Sequence, residues 1–130
     1  MNLVVLPRSS ISVKTTTMPI PARELISAFH HRARKALGQN FLTDEAALYE
    51  IAQCAQASQD TTILEIGPGP GGLTQQLLRH AGKVVAIEKD RRAVEFLTGS
   101  FKNMVAGASN LTVLEGDAMC VDLLAATGEA

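Results

Sequence analysis

Cysteine is scarce in this 130-residue sequence, and the spacing that would make it a metal ligand is absent. Cys54 and Cys120 lie far apart, and neither has a second cysteine at a C-x-x-C spacing. His30, His31 and His80 do not complete a zinc site with them. We interpret both cysteines as free thiols in a reducing compartment, which predicts a cytoplasmic protein without a metal. The sequence also lacks an apolar run of about 18 residues, so it predicts no membrane span.

Acidic residues are almost missing from the first 40 positions, where six basic residues accompany a single glutamate. Residues 41–130 reverse this balance, with six basic and twelve acidic residues. A basic arm before an acidic body fits a polyanionic partner, although a solvated leader explains the same pattern. Residues 1–22 are rich in serine, threonine and proline, so we expect a disordered leader before a domain at 23–130. A start at Met18 is one interpretation of this leader.

From residue 61 onward, short apolar runs alternate with helical patterns. The runs are TTILEI, KVVAIE and NLTVLEGDA, and the helical patterns between them are GLTQQLLRHAG and DRRAVEFLTGSFKNM. We expect Asp90 to cap the second of these helices, and Val94, Leu97 and Phe101 to face the core. Strand–helix–strand–helix–strand with continuous apolar strands predicts an α/β fold with a parallel sheet. Two helical segments precede it, one near residues 23–37 and one capped by Thr43 or Asp44.

The stretch LEIGPGPGGLT, which joins the first strand to the first helix of this unit, fits two kinds of cofactor loop. Gly67, Gly69 and Gly72 have the G-x-G-x-x-G spacing of dinucleotide sites, and Glu88 ends the next strand, where an acid would bind a ribose. With Gly71 in place of Gly72, the spacing is that of loops that bind S-adenosyl-L-methionine (SAM). In both cases glycine lets the backbone turn tightly and approach the ligand closely. The glycines alone leave the two alternatives open.

Three further features favour SAM over a dinucleotide. Pro68 and Pro70 remove two backbone donors from a loop in which a pyrophosphate would need them. The third strand exits into Asp117, whose carboxylate can accept a hydrogen bond from an adenine amine. Asn40, in the segment LGQNFL, offers both a donor and an acceptor ahead of the whole unit. We expect the exit loops of all three strands to meet at the carboxyl edge of the sheet, which is where such folds bind ligands.

These residues lie in segments that resemble the rRNA adenine dimethyltransferase family of the KsgA type. The segments are RKALGQNFLTD, ILEIGPGPGGLT, VVAIEKD and LEGDAM, and the resemblance runs from about Arg32 to about Asp122. It implies a Rossmann-like methyltransferase fold that uses SAM to dimethylate two adjacent adenines near the 3′ end of small-subunit rRNA. The cofactor-binding residues that it implies are Asn40, Leu42, Gly67, Glu88 and Asp117.

The same resemblance implies several properties beyond the cofactor pocket. The partner would be small-subunit rRNA or the immature small subunit, with no membrane and no metal, and the full-length protein would be monomeric. Arg32, Arg34 and Lys35 form a basic segment that could meet rRNA phosphates, although a solvated surface explains them nearly as well. The related large-subunit rRNA methyltransferases of macrolide resistance are a second possibility within this class.

One element of the family is missing from the sequence. The family carries a catalytic Asn-Leu-Pro-Tyr type motif after a fourth strand, followed by a small helical domain, and neither is found in these 130 residues. We therefore expect an N-terminal fragment, the first half of the fold, which is inactive in isolation. We also expect one edge of the first strand of the unit to be unpaired, which would make the chain marginally stable. Two alternatives remain, an NAD-binding dehydrogenase domain and a non-catalytic rRNA-binding assembly factor.

Overall fold

A computed structural model of the chain describes residues 2–7, 18–33 and 41–128. One four-stranded sheet lies at its centre, with the strands in the order β1-β2-β3-β4. The strands are β1 (Asn2–Pro7), β2 (Thr61–Ile66), β3 (Lys83–Glu88) and β4 (Leu111–Glu115). The helices are α1 (Ala22–Ala33), α2 (Glu45–Cys54), α3 (Gly72–His80), α4 (Arg91–Thr98), α5 (Ser100–Met104) and α6 (Leu123–Thr127), and a short 3-10 helix spans Ala108–Asn110.

The predicted strand–helix–strand–helix–strand unit is confirmed. Strands β2, β3 and β4 run parallel in that order, with Ile63 opposite Val84 and Val84 opposite Leu111. Helix α3 connects β2 to β3, and helices α4 and α5 connect β3 to β4. Strands β2 and β3 are buried because helices cover the sheet, as expected for parallel strands, whereas β4 at the edge is only partly buried. The carboxyl ends of all three strands therefore meet at one edge.

The edge of β2 that faces away from β3 is paired, although we expected it to be unpaired. Strand β1 pairs with it antiparallel along its whole length, from Asn2 opposite Ile66 to Pro7 opposite Thr61. The expected disordered leader also differs at residues 2–7, which form this strand. The physical reason is that an exposed edge offers unpaired backbone groups, and a nearby apolar β-branched run can satisfy them. The boundary of the domain at residue 23 and the marginal stability of the chain stay predictions.

The core lies on both faces of the sheet but is much larger on one. Helices α1 to α5 bury their apolar side chains against the face that carries Ile63, Val84 and Ala86. The other face carries Leu64, Val85 and Ile87, which pack against the segment around α6. The resulting layers are helices, sheet and a thinner helical cover, as in other α/β domains.

The helix caps agree with the sequence more closely than the helix lengths do. Asp44 caps α2 by accepting from Ala47 N, and Asp90 caps α4 by accepting from Arg92 N. The predicted single helix after Asp90 is instead interrupted at Gly99, in keeping with the low helix propensity of glycine. Leu97 and Phe101 are buried as expected, whereas Val94 is only half-buried and Phe96 takes its place in the core.

Candidate functional site

The glycine-rich loop between β2 and α3 requires glycine at three positions for one shared reason, its backbone conformation, and the space around the three positions differs. Gly67, Gly69 and Gly71 all have left-handed backbone conformations, with φ of +71°, +55° and +91°. A Cβ at Gly67 would stand in open space, with no atom within 4 Å. At Gly69 it would lie 3.0 Å from the ring of Phe41, and at Gly71 it would lie 2.3 Å from the ring of Phe101. The loop is thus packed from beneath and open at Gly67.

The backbone donors of residues 67–71 are all absent or already used. Gly67 N donates to Ile87 O at 2.9 Å, and Gly71 N donates to Pro68 O at 3.1 Å. Gly69 N donates to Glu88 Oε1 at 3.0 Å. The two prolines between these glycines have no N–H to offer. A pyrophosphate would therefore find no free backbone donor in this part of the loop, although that is how such loops usually hold one.

Glu88, the last residue of β3, holds the loop and the next helix together. Its side chain is buried, with 7 % of its surface exposed. One carboxylate oxygen accepts from Gly69 N, and the other accepts from Asp90 N at 2.9 Å. Each carboxylate oxygen has a further lone pair, so the group can still accept from a ligand hydroxyl. Glu88 is thereby fixed in position before any ligand arrives.

Asp117 follows β4 and faces the same space. It is exposed, and its Oδ1 accepts from Met119 N at 2.9 Å, which orients the carboxylate. A cavity of about 240 Å³ at the carboxyl edge of the sheet is lined by Gly67, Glu88 and Asp117 together. We call this the polar cavity after its two acids, although apolar side chains such as Ile66 and Met119 also line it. The structure thus brings together three of the five residues predicted to bind a cofactor.

The fourth predicted residue, Leu42, lies in a neighbouring cavity of about 260 Å³. This apolar cavity lies between α1, α2 and the loop, and its lining includes Ala22, Leu48 and Pro68. A third cavity of about 190 Å³ lies beside Phe41 and Glu88, and Gly67 lines all three. Asn40, the fifth predicted residue, lies outside the described residues. So do Arg34 and Lys35 of the basic segment, while Arg32 is placed on α1 by its backbone alone.

Glu65, a buried acid within the stretch LEIGPGPGGLT, is not among the residues that the sequence predicts for the site. Glu65, on β2, is fully buried, and its Oε1 accepts from Thr74 Oγ1 of α3 at 2.5 Å. Burial raises the pKa of Glu65 to about 7, against the lowering effect of the Thr74 hydrogen bond. An acid within a strand that is otherwise free of charge is the sequence signal that could have found it.

Residues 2–7, 18–33 and 41–128 contain no group of three or more His, Cys, Asp or Glu side chains able to hold a metal ion. The helices in these ranges are all too short or too polar to cross a membrane. Cys54 and Cys120 are exposed free thiols.

Three parallel strands, a donor-poor glycine loop and acids at the ends of the second and third of these strands form part of a Rossmann-like fold, of the kind that SAM-dependent methyltransferases have. More specifically, the chain belongs to the ribosomal RNA adenine dimethylase family, whose model matches residues 30–128. A relative from Geobacter sulfurreducens, named ribosomal RNA small subunit methyltransferase A, is 52 % identical over 92 residues. That match covers 71 % of this chain and 32 % of the relative. The chain therefore spans about a third of the length of such relatives.

Solved structures agree with this fold. A dimethyladenosine transferase from Plasmodium falciparum matches with a TM-score of 0.53 and 34 % identity, over 63 % of this chain and 29 % of that one. The 23S rRNA methyltransferase ErmE matches with a TM-score of 0.54 and 33 % identity, over 63 % and 32 %. The N-terminal domain of EvdMO1, solved in the presence of SAH and D-fucose, matches with a TM-score of 0.51 at 18 % identity, which supports the fold alone.

Proposed function

We propose that this chain supplies the SAM-binding half of a methyltransferase that dimethylates adjacent adenines near the 3′ end of small-subunit rRNA. The observation that carries the proposal is the meeting of Gly67, Glu88 and Asp117 in the polar cavity, beneath a loop with no free donor in residues 67–71. Relatives at 40–52 % identity carry a small-subunit rRNA methyltransferase name, which favours the small subunit over the large one.

Each of these residues has a distinct role in holding SAM. Glu88, fixed by two backbone donors, accepts hydrogen bonds from the ribose hydroxyls through its remaining lone pairs. Asp117 accepts from the exocyclic amine of the adenine. Gly67 leaves open space in which the ligand approaches the backbone. SAM supplies an activated methyl group, so the protein contributes mainly orientation and exclusion of water.

The nucleotide alternative fits the loop less well. The spacing of Gly67, Gly69 and Gly72 and the acid at Glu88 suit a dinucleotide. However, the N–H of Gly69 is already bonded to Glu88, and no other donor in 67–71 remains for a pyrophosphate. SAM has no phosphate, so it does not need a free backbone donor in this loop. An NAD-binding domain is therefore the weaker hypothesis.

The rest of the proposal concerns the whole protein. Its substrate would be small-subunit rRNA within the immature subunit, and its catalytic residues would come from segments outside these 130 residues. We propose a cytoplasmic location, because two exposed free thiols suit a reducing compartment. We also propose that the full-length protein is monomeric, which light scattering would test.

Titration calorimetry with SAM and with NAD tests the cofactor assignment on this chain. We expect saturable binding of SAM and none of NAD, and the Asp117→Ala variant should weaken SAM binding about tenfold or more because one hydrogen bond to the adenine is lost. Binding of NAD without SAM would refute the proposal.

A chimera tests the activity. Residues 1–128 would be joined to the remaining two thirds of the Geobacter sulfurreducens relative, and methyl transfer to unmethylated small subunits would be followed. We expect transfer that is lost when Glu88→Ala is introduced. A folded, SAM-binding chimera without transfer to these subunits would contradict the assigned substrate.

A further inference from the structure

Glu65 is a carboxylic acid in a place where a charge is costly. It lies one residue before the end of β2, faces the larger core, and has 0 % of its surface exposed. Thr74 Oγ1 donates to its Oε1, whereas its Oε2 is buried and has no hydrogen-bond partner among the described residues. A buried carboxylate with one unsatisfied oxygen is unfavourable, and a neutral carboxyl reduces the cost. The loop that carries Gly67 begins two residues further along the chain.

Among the described residues, the charged group that acts on Glu65 comes from the neighbouring strand β3. Desolvation is the largest influence and raises the pKa of Glu65 to about 7, while the hydrogen bond from Thr74 on α3 lowers it. The carboxylate of Glu88, on β3, raises this pKa further. Glu65 therefore responds to charge at the position of Glu88, which lines the polar cavity. A cation bound in that cavity acts in the opposite sense to Glu88.

We propose that Glu65 is a positioning residue that is largely protonated in the free protein and ionises when the polar cavity takes up a sulfonium ligand. The inference rests on the proposed function, because it takes SAM as the ligand. Thr74 bonds the carboxyl to the first turn of α3, so Glu65 links the two ends of the glycine-rich loop, β2 and α3. In the ionised form its charge complements the ligand, and the loop is held in place by the same hydrogen bond.

Proton linkage gives the expected pH dependence. Around neutral pH the free protein holds part of a proton on Glu65, and the complex releases it. SAM therefore binds more tightly as the pH rises through this range, by up to about tenfold for each pH unit while a whole proton is released. S-adenosylhomocysteine has a neutral sulfur in place of the sulfonium, so it should release less of this proton.

Calorimetry with both ligands between about pH 5.5 and about pH 8.5 covers a range that brackets neutrality. Repeating it in buffers of different ionisation enthalpy gives the number of protons released on binding. Glu65→Gln is the matched variant, because glutamine resembles the neutral carboxyl and keeps an acceptor for Thr74. We expect the variant to bind SAM like the natural sequence at pH 6 and several-fold more weakly at pH 8. If the ratio of the SAM affinity of Glu65→Gln to that of the natural sequence is the same at both pH values, the proposal is overturned.

Carboxyl ¹³C NMR observes the same group without relying on affinity. The Glu65 resonance, identified by its absence from Glu65→Gln, should titrate with a midpoint near 7 in the free protein. Saturating SAM should move the midpoint down by about one pH unit, equivalent to about tenfold in affinity. A midpoint that is unchanged by SAM, or an ordinary one in the free protein, would refute the proposal.

Thr74 provides an independent variant. Thr74→Val removes the hydroxyl that favours the charged carboxyl, so the midpoint of Glu65 and the pH at which SAM affinity rises should both move upward. Thr74→Ser keeps the hydroxyl and should leave both in place. If neither SAM nor S-adenosylhomocysteine binds the natural sequence, the proposed function fails. If both bind, with the same proton release in Glu65→Gln, only the role of Glu65 fails.

Discussion

Of the three cavities that Gly67 lines, the polar and the apolar cavity have similar volumes but differ in the side chains around them. The polar cavity is built at the ends of parallel strands, and its acids, Glu88 and Asp117, are held by backbone donors. The apolar cavity is built where α1 and α2 pack on the loop, and aliphatic and proline side chains dominate its lining, among them Leu42 and Leu48. The polar cavity can form hydrogen bonds with a ligand, whereas the apolar cavity can contribute mainly van der Waals contact.

This difference separates two kinds of information in the sequence. Residues of the polar cavity come from exit loops of neighbouring strands, whose meeting follows from the topology alone. Residues of the apolar cavity meet only because two helices dock in a particular way, which depends on packing at many positions. Substitutions in the polar cavity should therefore change stability and ligand binding through individual hydrogen bonds, and those in the apolar cavity should do so through apolar contact area.

The largest effect is expected where the loop is packed from beneath. Gly71→Ala would place a Cβ 2.3 Å from a ring atom of Phe101, which is fully buried and cannot move aside. Overpacking and the left-handed backbone should together lower the free energy of unfolding by about 4 kcal/mol. Gly67→Ala meets nothing and should cost only about 1 kcal/mol, while weakening SAM binding. Urea unfolding measures both, and equal losses would contradict this division of roles.

The next effect concerns Glu65, which is buried between β2 and α3, and it depends on pH. The folded protein keeps its proton up to about pH 7, whereas the unfolded chain loses it near 4.5. Between these values the folded state binds more protons, so stability falls as pH rises, by about 3 kcal/mol in total. Glu65→Gln should match the natural sequence at pH 4.5 and be more stable by about that amount at pH 8.

Unfolding by urea at several pH values checks this prediction. Glu50→Gln makes the same change at an exposed glutamate on α2 and serves as the matched control. If the difference in free energy of unfolding between Glu65→Gln and the natural sequence is constant from about pH 4.5 to about pH 8, then Glu65 ionises normally.

A smaller effect distinguishes the two acids of the polar cavity. Glu88→Ala leaves the N–H groups of Gly69 and Asp90 without their acceptor, which should cost about 2 kcal/mol of stability. Asp117→Ala affects an exposed residue, so its stability cost should be below about 1 kcal/mol. Both should weaken SAM binding about tenfold or more. Thermal unfolding and calorimetry separate the two effects, and a large loss of stability for Asp117→Ala would contradict the geometry.

The sequence predicted the parallel unit well because its signals are local. Apolar β-branched runs, Asp90 as a cap and the glycine stretch each act within a few residues. The strand β1 could not be found in this way, because its pairing with β2 joins residues about sixty positions apart and its own run is short and followed by a proline. Edge pairing depends on which backbone groups the fold leaves open, and that is a property of the assembled sheet.

The candidate site follows the same rule. Gly67, Glu88 and Asp117 were predicted from spacing and meet in one cavity, whereas the use of Gly69 N by Glu88 needs the folded loop. The partial break at Gly99 and the burial of Phe96 in place of Val94 also depend on packing. Glu65 was visible as an acid in an apolar strand, but only its bond to Thr74 and its unsatisfied oxygen show why it matters.

The smallest expected effect is on the apolar side. Leu42 is 40 % exposed and lines the apolar cavity, so a ligand there would cover part of it. Leu42→Ala should weaken SAM binding about threefold, through lost apolar contact, and change stability little. Val4→Ala is a matched control, because Val4 is 41 % exposed but lies on β1, opposite Leu64. Calorimetry compares the two variants. If Leu42→Ala loses no more affinity than Val4→Ala, the apolar cavity does not contact the ligand, and SAM recognition depends on the polar cavity alone.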